Sequence, residues 1–202
     1  MKQEGLLCTK FKTRSRKYSS YKGQVGKIAS NVVNRNFKAS RPNRLWLTDI
    51  TEFRIKGHED RLYLSPILDA YNSEIISYTL SHHPTIKLTN SMLDKAIKGI
   101  SSKDNLVIHS DQGFHYQHSS WSSKLRKLNI IQSMSRKGNC LDNSPMENFF
   151  GILKQEMYYG VEFTSYDQLR KEIELYIKWY NEDRIKTKLN EMSPVDYRLH
   201  SA

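Results

Sequence analysis

Leu45-Trp46-Leu47-Thr48-Asp49-Ile50-Thr51 is the segment on which the fold turns. It is rich in large and β-branched residues and lacks turn formers, so it reads as a strand over 45–51. Alternation puts Asp49 on the same face as Leu45 and Leu47. A carboxylate on an apolar face costs free energy unless something neutralises it. A metal ion, one buried arginine or a strand-end position would each serve.

Two further carboxylates raise the same question. Asp111 leaves the apolar run Leu106-Val107-Ile108-His109 and precedes Gln112-Gly113. Ligands of open α/β sheets gather beyond the carboxyl ends of strands; an Asx turn at the strand exit is the other reading. Glu147 falls in the first turn of a predicted helix, Ser144-Pro145-Met146-Glu147-Asn148-Phe149-Phe150. There Ser144-x-x-Glu147 is also a capping box, with Ser144 as N-cap. Two strand-borne aspartates and a helix-borne glutamate offer the oxygen ligands that suit Mg²⁺ or Mn²⁺. Two such ions can activate both the attacking and the leaving oxygen of a phosphodiester. His109 is expected to pack or hydrogen-bond nearby, because oxygen-rich magnesium sites seldom use imidazole. Lys154 follows Glu147 by seven residues, about two helical turns, and so shares its face. Gly151 between them leaves steric room there. Asn143, with Asp142, immediately precedes the helix and is assigned a supporting role.

Outward from these residues the pattern alternates between strands and helices. Strands are expected at 61–69, with a bulge or interruption at Pro66, and at 73–81, 105–109 and 130–133. Helices are expected from Pro84-Thr85 to about Ile100, near 117–128, from Ser144, and from Ser165, where Gln168 completes a capping box. On the last, Tyr166, Leu169, Ile173, Tyr176, Ile177 and Tyr180 form the apolar side. The stretch 134–143 reads as a mobile loop, and its Arg136 and Lys137 are candidates for contact with a DNA backbone. Tyr176, Trp179, Tyr180, Asn181 and Arg184 read as core and helix-end packing. The order βββαβαβαα fits an α/β layer fold with a mixed sheet.

The chain has 202 residues, 38% of them hydrophobic, enough for one good-sized domain with a real core. No apolar run approaches the ~20 residues of a membrane span, and the start shows no signal-peptide core. Cys8 and Cys140 read as two incidental thiols, and cytoplasmic placement follows. The net charge is +11, with 12 Lys/Arg and a single acid, Glu4, in residues 1–44. The remainder is balanced. A basic arm with interleaved aromatic residues, as in Arg14-Ser15-Arg16-Lys17-Tyr18, points to a nucleic-acid partner through phosphate contact and stacking. Arg14, Arg16 and Lys17 are its candidate contacts. Residues 1–43 are read as a basic arm or linker and 44–202 as the core domain.

Taken together, Trp46-Leu47-Thr48-Asp49-Ile50-Thr51, His109-Ser110-Asp111-Gln112-Gly113, Ser133 to Asn139, Asp142-Asn143, Glu147-Asn148-Phe149-Phe150, Lys154-Gln155-Glu156, Trp179-Tyr180-Asn181, Arg184 and Ser193 to Tyr197 resemble a known family in order and spacing. It is that of bacterial insertion-sequence transposases whose second reading frame carries a DDE, retroviral-integrase-like catalytic core. The resemblance implies a ribonuclease-H-like fold with a five-stranded mixed sheet flanked by helices. It implies a polynucleotidyl transferase with Asp49, Asp111 and Glu147 as catalytic residues holding two Mg²⁺ or Mn²⁺. It further implies that Lys154 contacts the transposon end, and that double-stranded DNA, as element ends and target, is the partner of a homo-oligomer in the bacterial nucleoid. Residues 1–43 would then be the remnant of a helix-turn-helix region. A nuclease of the same fold that cuts without joining, and a truncated DNA-binding remnant, are the competing readings.

Overall fold

A computed structural model describes residues 26–98 and 105–200. Arg14, Arg16 and Lys17 lie outside the described residues. The strands are β1 (Leu45–Thr48), β2 (Thr51–Phe53), β3 (Leu62–Asp69), β4 (Ile75–Ser81), β5 (Val107–Ser110) and β6 (Ile131–Met134). The helices are α1 (Ile86–Ala96), α2 (Phe114–Gln117), α3 (Ser119–Lys127), α4 (Ser144–Leu153), α5 (Tyr166–Glu182) and α6 (Pro194–His200).

The expected strand over 45–51 is broken at Asp49-Ile50. Both of its pieces pair with β3 in one continuous register: Thr48 stands opposite Ile67, and Thr51 opposite Leu64. The break is local, since the Ile50 amide turns back onto the Asp49 carboxylate at 2.7 Å. Counted as one interrupted strand, β1 and β2 give a five-stranded mixed sheet in the order β4, β3, β1/β2, β5, β6. The first three pair antiparallel, while β1, β5 and β6 run parallel. Pro66 does not interrupt β3: it pairs with Tyr78, and the register shifts at Ile67/Leu68 instead.

Alternation along the strands splits the core in two. Leu45 and Leu47 face α4 and α5, packing with Met146, Phe149, Leu153, Leu169, Ile173 and Ile177. Trp46, Ile67 and Ile108 face α1 and α3, packing with Met92, Leu93, Trp121 and Leu125. Fully burying one such side chain is worth about 1.5–3 kcal/mol, so each face alone secures its layer of helices.

Several boundaries differ from expectation. The helix near 117–128 is two helices, α2 and α3, separated at the extended His118, whose ring accepts from the Ser120 amide. The first helix starts at Ile86, and Leu88, Thr89, Met92 and Leu93 form its buried face. Ser144 is the first residue of α4 and not its cap; Asn143 holds the cap position, and no side-chain cap bond forms. The Ser144–Glu147 capping box is therefore absent. After Leu153 the chain widens into a π-turn, Lys154–Tyr158. α5 keeps its predicted cap, with the Ser165 hydroxyl accepting from the Gln168 amide. Its buried side is the six residues expected.

Residues 26–43 lie on the core. The Val32 amide donates to Ser133 Oγ at 3.0 Å, Arg35 pairs with Asp142 at 2.8 Å, and the Asn43 amide donates to Asp69 Oδ2 at 2.9 Å. The stretch 134–143 is tied down by the same Asp142. Its fully buried carboxylate takes Arg136 at 2.7–2.8 Å, along with the Arg136 amide and the Asn31 carboxamide.

Candidate active site

β1 and β5 are parallel neighbours and end at the same edge of the sheet. Asp49 and Asp111 are the residues that follow their last positions. The topology therefore brings two carboxylates, sixty-odd residues apart in sequence, to the mouth of one cleft. Tyr63, Phe114, His115 and Tyr116 complete its walls, with Glu52 at its rim. Thr48, fully buried beneath the aspartates, donates to the Pro66 carbonyl at 2.8 Å and lies 3.3 Å from the Tyr116 hydroxyl.

Local backbone aims both carboxylates. Asp49 Oδ1 accepts from the Ile50 amide, and Asp111 Oδ1 accepts from the Gly113 amide at 2.8 Å. The second is the Asx turn that the sequence allowed, so the turn and the cleft position coexist. Gly113 leaves the carboxylate its place: a Cβ there would stand 2.9 Å from Asp111 Oδ1 and push it aside.

The electrostatics are those of crowded like charge. Burial, then the neighbouring Asp111, then Glu147 push the Asp49 carboxyl well above the usual carboxylate range, against the Ile50 amide and Lys154, which lower it. Burial also raises Asp111, opposed by the Gly113 amide, and raises Glu147. Two half-buried carboxylates held together and short of positive charge fit a hard divalent cation, which prefers oxygen ligands and replaces the missing countercharge.

Glu147 projects from the exposed flank of α4. It is within electrostatic range of Asp49 but does not line the cleft. Among the described residues, no three His, Cys, Asp or Glu side chains close into a metal-sized cluster. The structure thus joins Asp49 to Asp111 and leaves Glu147 beside them. Lys154 comes back to the Glu147 flank, with Nζ 5.2 Å from the Phe53 ring centroid. His109 is fully buried; Nδ1 meets Ser133 Oγ at 2.8 Å and Nε2 meets Ser135 Oγ at 3.1 Å. With both nitrogens engaged it is a scaffold residue. Asn143 donates to the Thr48 carbonyl at 3.2 Å. Arg136 has its guanidinium on Asp142, whereas Lys137 is exposed beside Gly138.

Some residues near the site were not anticipated. Thr48, Glu52, Tyr63, Phe114, His115 and Tyr116 had no individual signal beyond adjacency to Asp49 or Asp111. The Glu156–Arg184 pair, at 2.6 Å and supported by the Tyr176 hydroxyl, fastens the π-turn to the end of α5. Its two halves lay in separate motifs, and only the fold joins them.

The integrase core domain family matches residues 39–140 and again 147–201. The putative transposase InsK of insertion sequence IS150 from Escherichia coli is 45% identical over 194 residues, covering 96% of this chain and 68% of the relative. A transposase-like protein of Haemophilus influenzae is 49% identical, covering 96% and 89% respectively. The catalytic core of HTLV-2 integrase, solved in complex with magnesium, superposes with a TM-score of 0.60 at 16% identity, over 79% of this chain and 98% of that one. A chain of the simian T-cell lymphotropic virus intasome, solved in complex with PP2A regulatory subunit B56 gamma, gives a TM-score of 0.62 at 19% identity, over 90% and 60%. These structures place the sheet and helices in the ribonuclease-H-like, integrase-core fold. At this level of identity to the IS150 protein along nearly the whole length, the chain belongs to the IS3-family insertion-sequence transposases with an integrase core domain.

Proposed function

We propose that the chain is a DDE polynucleotidyl transferase that cleaves and joins DNA strands at the ends of an insertion sequence, using Asp49, Asp111 and Glu147. The observation that carries this is the pairing of Asp49 and Asp111 at the ends of adjacent parallel strands, with the helix bearing Glu147 alongside. In the first step water breaks a phosphodiester at the element's end and leaves a 3′-hydroxyl. In the second, that hydroxyl attacks another phosphodiester and expels a new 3′-oxygen. Neither step needs a nucleophile from the protein. Two Mg²⁺ or Mn²⁺ ions, when bound, supply the Lewis acidity that activates the attacking and leaving oxygens.

The chain's own residues orient and hold. The Ile50 and Gly113 amides fix one oxygen of each aspartate and leave the other free to ligate. Glu147 supplies the third carboxylate from α4. Lys154, on the same flank, and Lys137 offer charge to the DNA backbone; so do Arg14, Arg16 and Lys17. Arg136 contributes less than the sequence suggests, because Asp142 already occupies its fork.

The test uses pre-cut and uncut duplexes carrying the element's end. Both cleavage and strand transfer are expected with Mg²⁺ or Mn²⁺. Cleavage with no joining of pre-cut ends would make the protein a nuclease, and binding with neither would make it a DNA-binding remnant.

A further inference from the structure

A second cleft, of about 710 Å³, lies on the other flank of α4. Glu147, Gly151 and Lys154 recur at helical spacing and share one flank; Ser144, Asn148 and Ile152 recur every four residues and share another. The helix is thus a ridge between two concavities. The far wall of the second one is the strap after α5, closed by a bridge between Lys186 and Met192 and by the turn Thr187–Leu189.

The lining chemistry is one-sided. Arg184, Lys186 and Lys188 contribute positive charge, and no carboxylate lines the cleft. Arg184 is committed to Glu156. Among the described residues, neither Lys186 nor Lys188 forms an ion pair. Lys186 is held in place: its ammonium donates to the Tyr180 hydroxyl and sits 4.4 Å from that ring's centroid. Burial, then Arg184, pull its pKa down to about 8, opposed by the Glu156 carboxylate. Lys188 is exposed at the mouth. Ser144, Asn148 and Thr187 add uncharged donors.

We propose that this cleft is a second DNA-backbone site, in which Lys186 and Lys188 hold a phosphodiester run along the flank of α4 opposite Glu147. Spaced cations with neutral donors between them suit a repeating anion better than a single one. The proposal rests on the transposase reading, in which the flanks of two DNA segments must be held while their reacting atoms meet at the aspartates.

The test is fluorescence anisotropy of the full chain with a labelled 20-base-pair duplex, titrated with salt. Each phosphate contact contributes about 0.9 to the slope of log affinity against log salt. Lys186→Gln/Lys188→Gln is expected to lower that slope by about 1.8, and Lys188→Gln alone by about 0.9. The single variant leaves the Tyr180 contact intact and guards against misfolding. Lys171→Gln/Lys178→Gln, on the exposed side of α5, is the control and is expected to change the slope much less. Equal losses in control and cleft variants, or no change in either cleft variant, would overturn the proposal. So would a cleft variant that alters the sedimentation of DNA-free protein and leaves the slope intact, which would assign the cleft to a second copy of the chain. Failure of the unaltered chain to bind the duplex at all would sink the transposase reading as well.

Discussion

The Asn143 carboxamide donates to the carbonyl oxygen of Thr48 across 95 residues of sequence. One end of this bond lies just before α4, four residues from Glu147; the other lies one residue before Asp49. It fixes the spacing between the helix carboxylate and the strand carboxylate. Asn143→Ala is expected to cost about 1 kcal/mol of stability through the lost hydrogen bond, partly offset because the buried Asn143 Oδ1 has no partner of its own. Strand transfer should fall at least tenfold while DNA affinity is kept. Unchanged turnover at full occupancy would show that the bond has no positioning role.

The raised carboxyls at Asp49 and Asp111 predict how stability, metal and pH interact. A carboxyl with a raised folded pKa contributes stability that is complete below its unfolded value, near 4, and is lost as pH rises through the folded one. Metal-free protein should therefore lose this contribution as pH rises from acid toward neutrality. Mg²⁺ should restore it more at pH 8 than at pH 5. Asp49→Asn should melt higher than the unaltered chain without metal, show a smaller Mg²⁺ response, and abolish both cleavage and joining. Scanning calorimetry with and without Mg²⁺ at the two pH values checks this; equal Mg²⁺ shifts at both would contradict it.

Two glycines separate positioning from stability. Gly113→Ala would set a Cβ against Asp111 Oδ1, so activity should drop by one to two orders of magnitude with little change in melting. Gly151 has open space around its Cβ position, and its alanine variant should gain about 0.5–1 kcal/mol from helix propensity. Unfolding titrations and a cleavage assay on both variants decide the matter.

Acid should loosen the structure at two other pairs. Arg136 holds Asp142 far below the ordinary carboxylate range, and against burial, which raises it, Arg184 and the Tyr176 hydroxyl together lower Glu156. A depressed carboxyl gives stability that is present above its unfolded pKa and lost as pH falls through the folded one. Stability should thus decline below about pH 4, and Glu156→Gln should cost about 2 kcal/mol at pH 7 while flattening that decline. An acid limb identical to that of the unaltered chain would rule the pair out.

Residues 26–43 are bound to β6 and to the Asp142 turn, so deleting 1–42 would remove part of the core surface. Deleting 1–25 instead should keep the fold, weaken DNA binding most at low salt, and flatten the salt dependence. An unchanged slope would show that these residues do not touch phosphate.

The periodicities carried much of this fold. The apolar face of α5 was legible because six residues at helical spacing leave little choice, and β1 because Leu45 and Leu47 alternate with the half-polar face. What escaped was long-range. The break at Asp49-Ile50 comes from a side chain bonding its own neighbour's amide. The failed capping box at Ser144 arises because Asn143, tied to Thr48, takes the cap position. Asp111 and Asp49 could be paired only through the parallel contact of β1 with β5, which no local pattern encodes. The wiring of residues 26–43 through Arg35 and Asp142 was hidden for the same reason: their charges looked like part of a solvated arm.

Crystals grown with Mn²⁺ and measured for anomalous scattering would show whether the two aspartates hold a cation. An anomalous peak bridging Asp49 and Asp111 is expected, lost in Asp111→Asn, with Glu147 drawn toward it when DNA is bound. No peak between the two aspartates, at Mn²⁺ concentrations that support strand cleavage, would contradict a shared cation site.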